Sequence, residues 1–224
     1  MFFRLFYSLL LIALCCSKVT AQSEFTLSTS SSLLTTHVQA IVIKAYRRIG
    51  IDVAIKPFPT ARSLVLSNNG ITDGELLRVK NISDFYPNLL IVPIPLHKVQ
   101  IEAYSLHKAP DIKGLQSLKA TKIGIIRGAK TLESSTKDMQ RVIADNHLQL
   151  FELLKKKRIE VAIASVNSAQ SAMAQLQLAQ EEVHHSPLKD FPVYHFVHKK
   201  HRQLIPALTQ ALTDILQSSS LSTK

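Results

Sequence analysis

The chain of 224 residues has no tryptophan, only six glycines, only two cysteines, and 16 acidic residues against 27 lysines and arginines. Each shortage removes a class of explanation. Both cysteines, Cys15 and Cys16, fall within the first 21 residues. Once that segment is removed, the chain can hold no disulfide, no thiolate nucleophile and no cysteine–metal site. Enzyme signatures are missing too, with no G-x-S-x-G elbow and no H-E-x-x-H pair. Beyond residue 21 no apolar run approaches the roughly 20 residues that span a bilayer. What remains, 46% hydrophobic and 19% charged, is an ordinary globular composition.

Residues 1–21 read as a secretory signal. Arg4 gives a positive start, LFYSLLLIALCC (5–16) is a short apolar run, and VTA (19–21) offers the small side chains of a cleavage site. Cleavage is predicted after Ala21, which places the mature protein in the periplasm. Leu14 and Cys15 are poor residues to precede a lipid-modified cysteine, so no anchor is expected. Loss of Arg4 and Lys18 would lower the net charge from +11 to +9. The basic residues are scattered, and the one run, KKKR (155–158), closes an amphipathic helix where cations complement the dipole. No nucleic-acid partner is expected.

The mature chain alternates short strands and helices. FTLSTSSS (25–32) is a strand that dissolves into hydroxyls, and THVQAIVIKAYRRIG (36–50) is a helix ended by Gly50. IDVAIKPFP is a second strand. TARSLVLSNNG (60–70) is a helix with Thr60 as cap, Leu64 and Leu66 as core contacts and Gly70 as stop. GITDGELLRV (70–79) is a third strand, and LLIVPIPLHKVQIEAYSLH (89–107) is an extended segment carrying Pro93 and Pro95. A second set follows: TKIGIIRGAK as strand and turn, TLESSTKDMQRVIADNH (131–147) as one helix, LQLFELLKKKR as another, and IEVAIAS as a strand. FPVYHFVHKKHRQLIPALTQALTDILQSSS closes with a strand and a helix. The order predicts an α/β fold of two lobes, each a small, mostly parallel sheet flanked by helices, with a cleft between them.

Candidate chemistry is sparse. GIIRGAKT (124–131) lacks the spacing of a nucleotide loop, but its strand, Gly128 and Thr131 would leave backbone N–H groups free for an anion. The histidines from His184 to His201 do not converge at ligand spacing, so no metal and no cofactor are expected. In GITDGELLRV the acids and the arginine are costly inside a buried strand. Either Asp73–Gly74 makes a bend and Arg78 pairs internally with Glu75, or Gly74 admits a close neighbour and Arg78 offers its planar fork to a carboxylate.

TARSLVLSNNGITDGELLRV followed by YPNLLIVPIPLHKVQIEAYS resembles extracellular solute-binding proteins of family 3, the type 2 periplasmic binding fold. LKATKIGIIRGAKT, LLKKKRIEVAIAS and PVYHFVHKKHRQLIPALTQAL resemble its lobe 2 entry, its later helix–strand pair and its return to lobe 1. The resemblance implies a binder, not an enzyme, that closes over a small polar solute, anionic or amino-acid-like. It divides the chain into lobe 1 at 22–95, lobe 2 at 96–192 and a returning strand and helix at 193–224. It also implies that Arg78 clamps a ligand carboxylate and that the turn from Gly128 to Thr131 assists. Where amino-acid binders carry an acid for the ligand ammonium, this chain has Ser165. The candidate ligand set is Ser30, Arg62, Glu75, Arg78, Arg127, Gly128, Thr131 and Ser165. An inner-membrane transporter or sensor is the expected partner of a monomer. The alternative is a secreted hydrolase built on an unrecognised Ser/His or His–metal site.

Overall fold

A computed structural model of the protein describes residues 24–30, 36–106 and 112–221. The expected signal, 1–21, lies outside the described residues.

One sheet of eight strands runs through the molecule in the order β2-β1-β3-β8-β4-β7-β5-β6. Its first part holds β1 (Phe25–Ser30), β2 (Val53–Phe58) and β3 (Gly74–Val79), with helices α1 (Thr36–Arg48) and α2 (Thr60–Asn68) between them. The chain then crosses on β4 (Leu89–Ser105). It continues through β5 (Ile123–Ile126), α3 (Lys130–Ser135), β6 (Arg141–Ala144), α4 (His147–Lys155), β7 (Val161–Ser165) and α5 (Val166–Gln175). It returns on β8 (His184–His198) and ends in α6 (Ile205–Leu221). Within each part the β1–β2, β1–β3, β5–β6 and β5–β7 pairs are parallel. The strands that join the parts are antiparallel: β8 to β3, β4 to β8 and β7 to β4. The two lobes therefore share one hydrogen-bonded sheet. Irregular register between β4 and β8 surrounds Pro95, which lies opposite Tyr194, as expected where proline removes a ladder donor.

Burial follows the periodicity. Val38, Val42 and Tyr46 of α1 meet Leu208 and Leu212 of α6 on one face of the first part, while Leu64 packs with Leu89 and Phe196 on the other. In the second part Leu150, Phe151 and Leu154 of α4 cover one face, and Leu118 and Met139 lie with Ile123 and Ile125 on the opposite side. The helix expected over 131–147 is not one element. Only Lys130–Ser135 is helical, and Arg141–Ala144 pairs with β5 as a parallel edge strand. The apolar run Val142–Ala144 suits a strand, and Asn146 restarts the helix by accepting the Gln149 N–H at 2.8 Å. Thr60 is likewise not a cap: Pro59 holds that position without a side-chain bond.

GITDGELLRV divides at Gly74. Gly70 ends α2 with φ at +71°, and the strand begins only at Gly74, whose added Cβ would stand 2.4 Å from the Phe196 carbonyl oxygen. Close approach of a neighbouring backbone, and not of a ligand, is what requires glycine there. Asp73 ties this corner together. Its carboxylate accepts the Thr26 N–H at 2.8 Å and contacts Lys200 Nζ at 2.8 Å and His201 Nε2 at 2.7 Å. Its backbone carbonyl also accepts the His198 N–H at 2.8 Å.

The histidines spread along and beyond β8. His185 Nδ1 contacts Glu102 at 3.0 Å, His195 is buried, and His198 and His201 sit where β8 turns toward α6. Among the described residues no group of three or more His, Cys, Asp and Glu is placed to hold a metal ion.

Burial alone would raise the Asp73 carboxyl, but Lys200, the Thr26 N–H and His201 together hold it below its ordinary value. A depressed carboxyl stabilises the fold above its unfolded pKa of about 3.9 and loses that contribution as pH falls through the folded value. Asp73→Asn should therefore cost about 1.5–3 kcal/mol at neutral pH, the range for hydrogen bonds to a charged group. Urea melts of both proteins at descending pH should show the gap closing; a gap of constant size into strong acid would refute this role.

Candidate binding cleft

Glu75 and Arg78 are three residues apart, a spacing that in a regular strand puts side chains on opposite faces. Register with β8 shows why they meet. Glu75 stands opposite Phe196 and Arg78 opposite Tyr194, so Leu76 and Leu77 together face one residue, His195. This bulge turns Leu76 and Leu77 both into the apolar core and leaves Glu75 and Arg78 side by side. His195 completes it. Its Nδ1 lies 3.2 Å from the Leu76 carbonyl oxygen and its Nε2 2.8 Å from the Tyr46 hydroxyl. A carbonyl only accepts, so Nδ1 carries the proton and Tyr46 donates to Nε2. Burial lowers the His195 pKa to about 4, which keeps the ring neutral in this role.

Glu75 is completely buried. Its Oε2 accepts from Ser63 at 2.6 Å, Ser28 at 2.8 Å and Ser67 at 3.3 Å. Its Oε1 lies 2.7 Å from Arg78 Nη2, an ionic contact whose angle falls outside hydrogen-bond geometry, since neither atom has a hydrogen-bond partner. Burial pushes the Glu75 carboxyl up, against the opposing pull of Arg78 and the three serines, and pushes the Arg78 guanidinium down. Arg78 Nε is also buried without an acceptor. Ser63 and Ser67 were not singled out from the sequence, although their i, i+4 spacing on a helix before an acidic strand was a visible signal.

Arg78 lines a cleft of about 130 Å³ between the two lobes. For scale, an engineered cavity of about 150 Å³ holds one benzene. From lobe 1 the cleft is bounded by Ser30, Thr60, Arg78 and Val79; from lobe 2 by Gly128, Lys130, Thr131, His147 and Ser165. Val99, Ile101, Phe191 and Val193 of the crossing strands close its back. Thus Ser30, Arg78, Gly128, Thr131 and Ser165 of the expected set come together.

The other three do not line it. Glu75 is turned beneath Arg78 toward the serines. Arg62 is exposed on α2, its guanidinium 5.9 Å from the Phe58 ring centroid. Arg127 turns outward to Asp145 at 2.9 Å. Arg62 lies in the first turn of α2 and Arg127 in the turn before α3, and in both places the side chain can point to solvent. Thr60, Lys130, His147 and Ser168 join the lining without having been expected. Burial lowers His147 to about 4, so it presents a neutral ring.

The lobe 2 turn also differs from expectation. The Gly128 N–H is not free for an anion: it donates to Glu133 Oε1 at 2.6 Å, and Lys130 Nζ contacts Glu133 Oε2 at 2.6 Å. Burial would raise Glu133, but Lys130 and the Gly128 N–H hold it below the ordinary carboxylate value. Thr131 donates to Asn81 Oδ1 across the cleft at 3.0 Å. Gly128, at φ +88°, touches lobe 1 directly, and its added Cβ would stand 2.6 Å from the Ala61 nitrogen. The lobes are closed on each other.

No family model matches the chain. An uncharacterized protein of Shewanella oneidensis is 24% identical over 186 residues, spanning 80% of this chain and 70% of its own length. A histidine kinase sensor domain with similarity to periplasmic binding proteins superposes with a TM-score of 0.72 at 10% identity, covering 90% of this chain and 93% of its own. A Streptococcus pneumoniae amino-acid ABC transporter substrate-binding protein, AbpA, bound to L-arginine, gives 0.69 at 12%, covering 89% and 92%. An ancestral arginine-binding protein bound to glutamine gives 0.69 at 15%, covering 89% and 95%. The fold is that of the two-lobed periplasmic binding proteins. These similar structures are binding proteins and a sensor domain. Among the described residues no helix is long and apolar enough to cross a membrane.

Two tests follow from the cleft geometry. Arg78→Ala strands the Glu75 charge in the interior and should cost about 3–5 kcal/mol, whereas Glu75→Gln with Arg78→Met should cost markedly less. Denaturant melts compare them, and an alanine variant as stable as the wild type would contradict the buried pair. Gly128→Ala should hold the lobes apart, so that the radius of gyration from small-angle scattering exceeds that of the wild type; identical radii would show that the contact does not limit closure.

Proposed function

We propose that this protein is a periplasmic solute-binding protein that closes over a small solute bearing an anionic group. One observation carries the reading: the cleft lining includes Arg78, held from behind by the buried Glu75 at 2.7 Å, and among the described residues no carboxylate. A guanidinium in a cleft wall offers charge-assisted hydrogen bonds to an anionic group. Glu75, held by three serines, keeps the guanidinium in place. Ser30, Thr131 and Ser165 supply neutral polar contacts beside it.

In this reading residues 22–95 together with 193–224 form one lobe and residues 96–192 the other, moving about the crossing strands β4 and β8. The Gly128–Ala61 and Thr131–Asn81 contacts belong to the closed state, which a ligand touching both lobes favours. Export on the segment 1–21 and action as a monomer toward an inner-membrane transporter or sensor complete it. The similar proteins include both a transporter component and a sensor domain, and either use fits the same cleft. Nothing in the comparisons supports the hydrolase alternative.

The test is thermal melting of the mature protein with L-arginine, L-glutamine, succinate or 4-methylvalerate. Arg78→Lys retains a cation beside Glu75 but loses the planar fork. At least one solute should raise the melting temperature of the wild type, and that rise should disappear in Arg78→Lys. Equal rises in both proteins, or none with any solute in the wild type, would reject the assignment.

A further inference from the structure

The same cleft carries information about the rest of the solute, conditional on the solute-binding reading above. We infer that the cleft takes a monocarboxylate with an apolar body and no ammonium group, not an amino acid.

Three observations point there. First, among the described residues lining the cleft the charged side chains are Arg78 and Lys130, and no carboxylate lines it. Glu75 and Glu133 each touch one of these cations, but their oxygens are taken by Ser28, Ser63, Ser67 and Arg78 in one case and by Gly128 and Lys130 in the other. Second, the position facing the cleft at the end of β7 is Ser165, whose hydroxyl is already 2.6 Å from that of Ser168. A ligand ammonium there would lose its hydration and meet no anion, which is costly. Third, most of the remaining wall is hydrocarbon, with Val79, Ile82, Ile126, Leu132, Ile163 and Phe191 around the space.

The arrangement also discriminates at the other end of the charge scale. A second carboxylate on the ligand would find Lys130 neutralised by Glu133 at 2.6 Å, with His147 uncharged beside it. One guanidinium, a largely hydrocarbon chamber and no carboxylate for a cation describe a short branched or aromatic monocarboxylate. The driving force is then burial of the apolar body, with the Arg78 contact setting orientation.

The decisive comparison uses 4-methylvalerate and L-leucine, which share a carboxylate and a branched chain and differ by the α-ammonium. Calorimetric titration of the mature wild-type protein should show 4-methylvalerate binding at least about tenfold more tightly than L-leucine, with succinate weaker than either. Ser165→Asp places an acid at the N-cap position of α5, where Ser165 makes no side-chain capping bond and aspartate is as well tolerated, and should move the ratio toward L-leucine by about tenfold. If L-leucine or L-arginine binds the wild type as tightly as 4-methylvalerate, or if Ser165→Asp leaves the ratio unchanged, the inference is overturned while the binding reading stands. If none of these four solutes binds, nor L-glutamine, both fall together.

Discussion

A single extra residue in β3 sets most of the chemistry of this molecule. Without the bulge at Leu76 and Leu77, Glu75 and Arg78 would point to opposite faces of the sheet, one of them into hydrocarbon with no counter-charge. With it, both leucines enter the core and the two ions stand together under the cleft. The bulge in turn depends on a satisfied backbone, because the Leu76 carbonyl is taken by His195 and His195 by Tyr46. An α1 tyrosine, a β8 histidine and a β3 carbonyl thus hold in place the guanidinium that faces the cleft.

The cost of that arrangement is spread over hydroxyls. A carboxylate at zero exposure needs donors, and Ser28, Ser63 and Ser67 supply them from β1 and α2. These serines sit where a core would ordinarily carry alanine or leucine. Their presence makes α2 a support for Arg78 from behind, while the first turn of the same helix, at Thr60 and Ala61, meets lobe 2 in front. The support of Arg78 and the contact between the lobes therefore meet in one short helix.

Much of the fold was legible in the sequence. Alternating strands and helices gave the α/β class, Gly50 and Gly70 marked helix ends with left-handed φ values, and the polar strand after Gly70 pointed to Arg78. What was hidden was non-local. The short apolar run Val142–Ala144 is equally compatible with a helix, and what makes it a strand is its partner β5, some twenty residues earlier. The bulge in β3 is visible only against β8, more than a hundred residues away. The role of Glu133 is hidden for the same reason. As a helical residue it looked unremarkable, yet it fills the Gly128 N–H that the strand–turn pattern left open to a ligand. Arg62 and Arg127 show the converse error, since a cation near a predicted turn says nothing about which side of the turn it faces.

The sheet order has one further consequence, for the order of assembly. The last strand in sequence, β8, occupies the middle of the sheet between β3 and β4. A chain that emerges from its N-terminus can form β2-β1-β3 and β4-β7-β5-β6 as separate pieces, but each keeps an open edge until residues 184–198 arrive. Both edges are then sealed by the same strand at nearly the same moment. Such long-range closure is slow to nucleate, so truncation before residue 198 would leave two unpaired edges together, exposing the whole chain to mispairing.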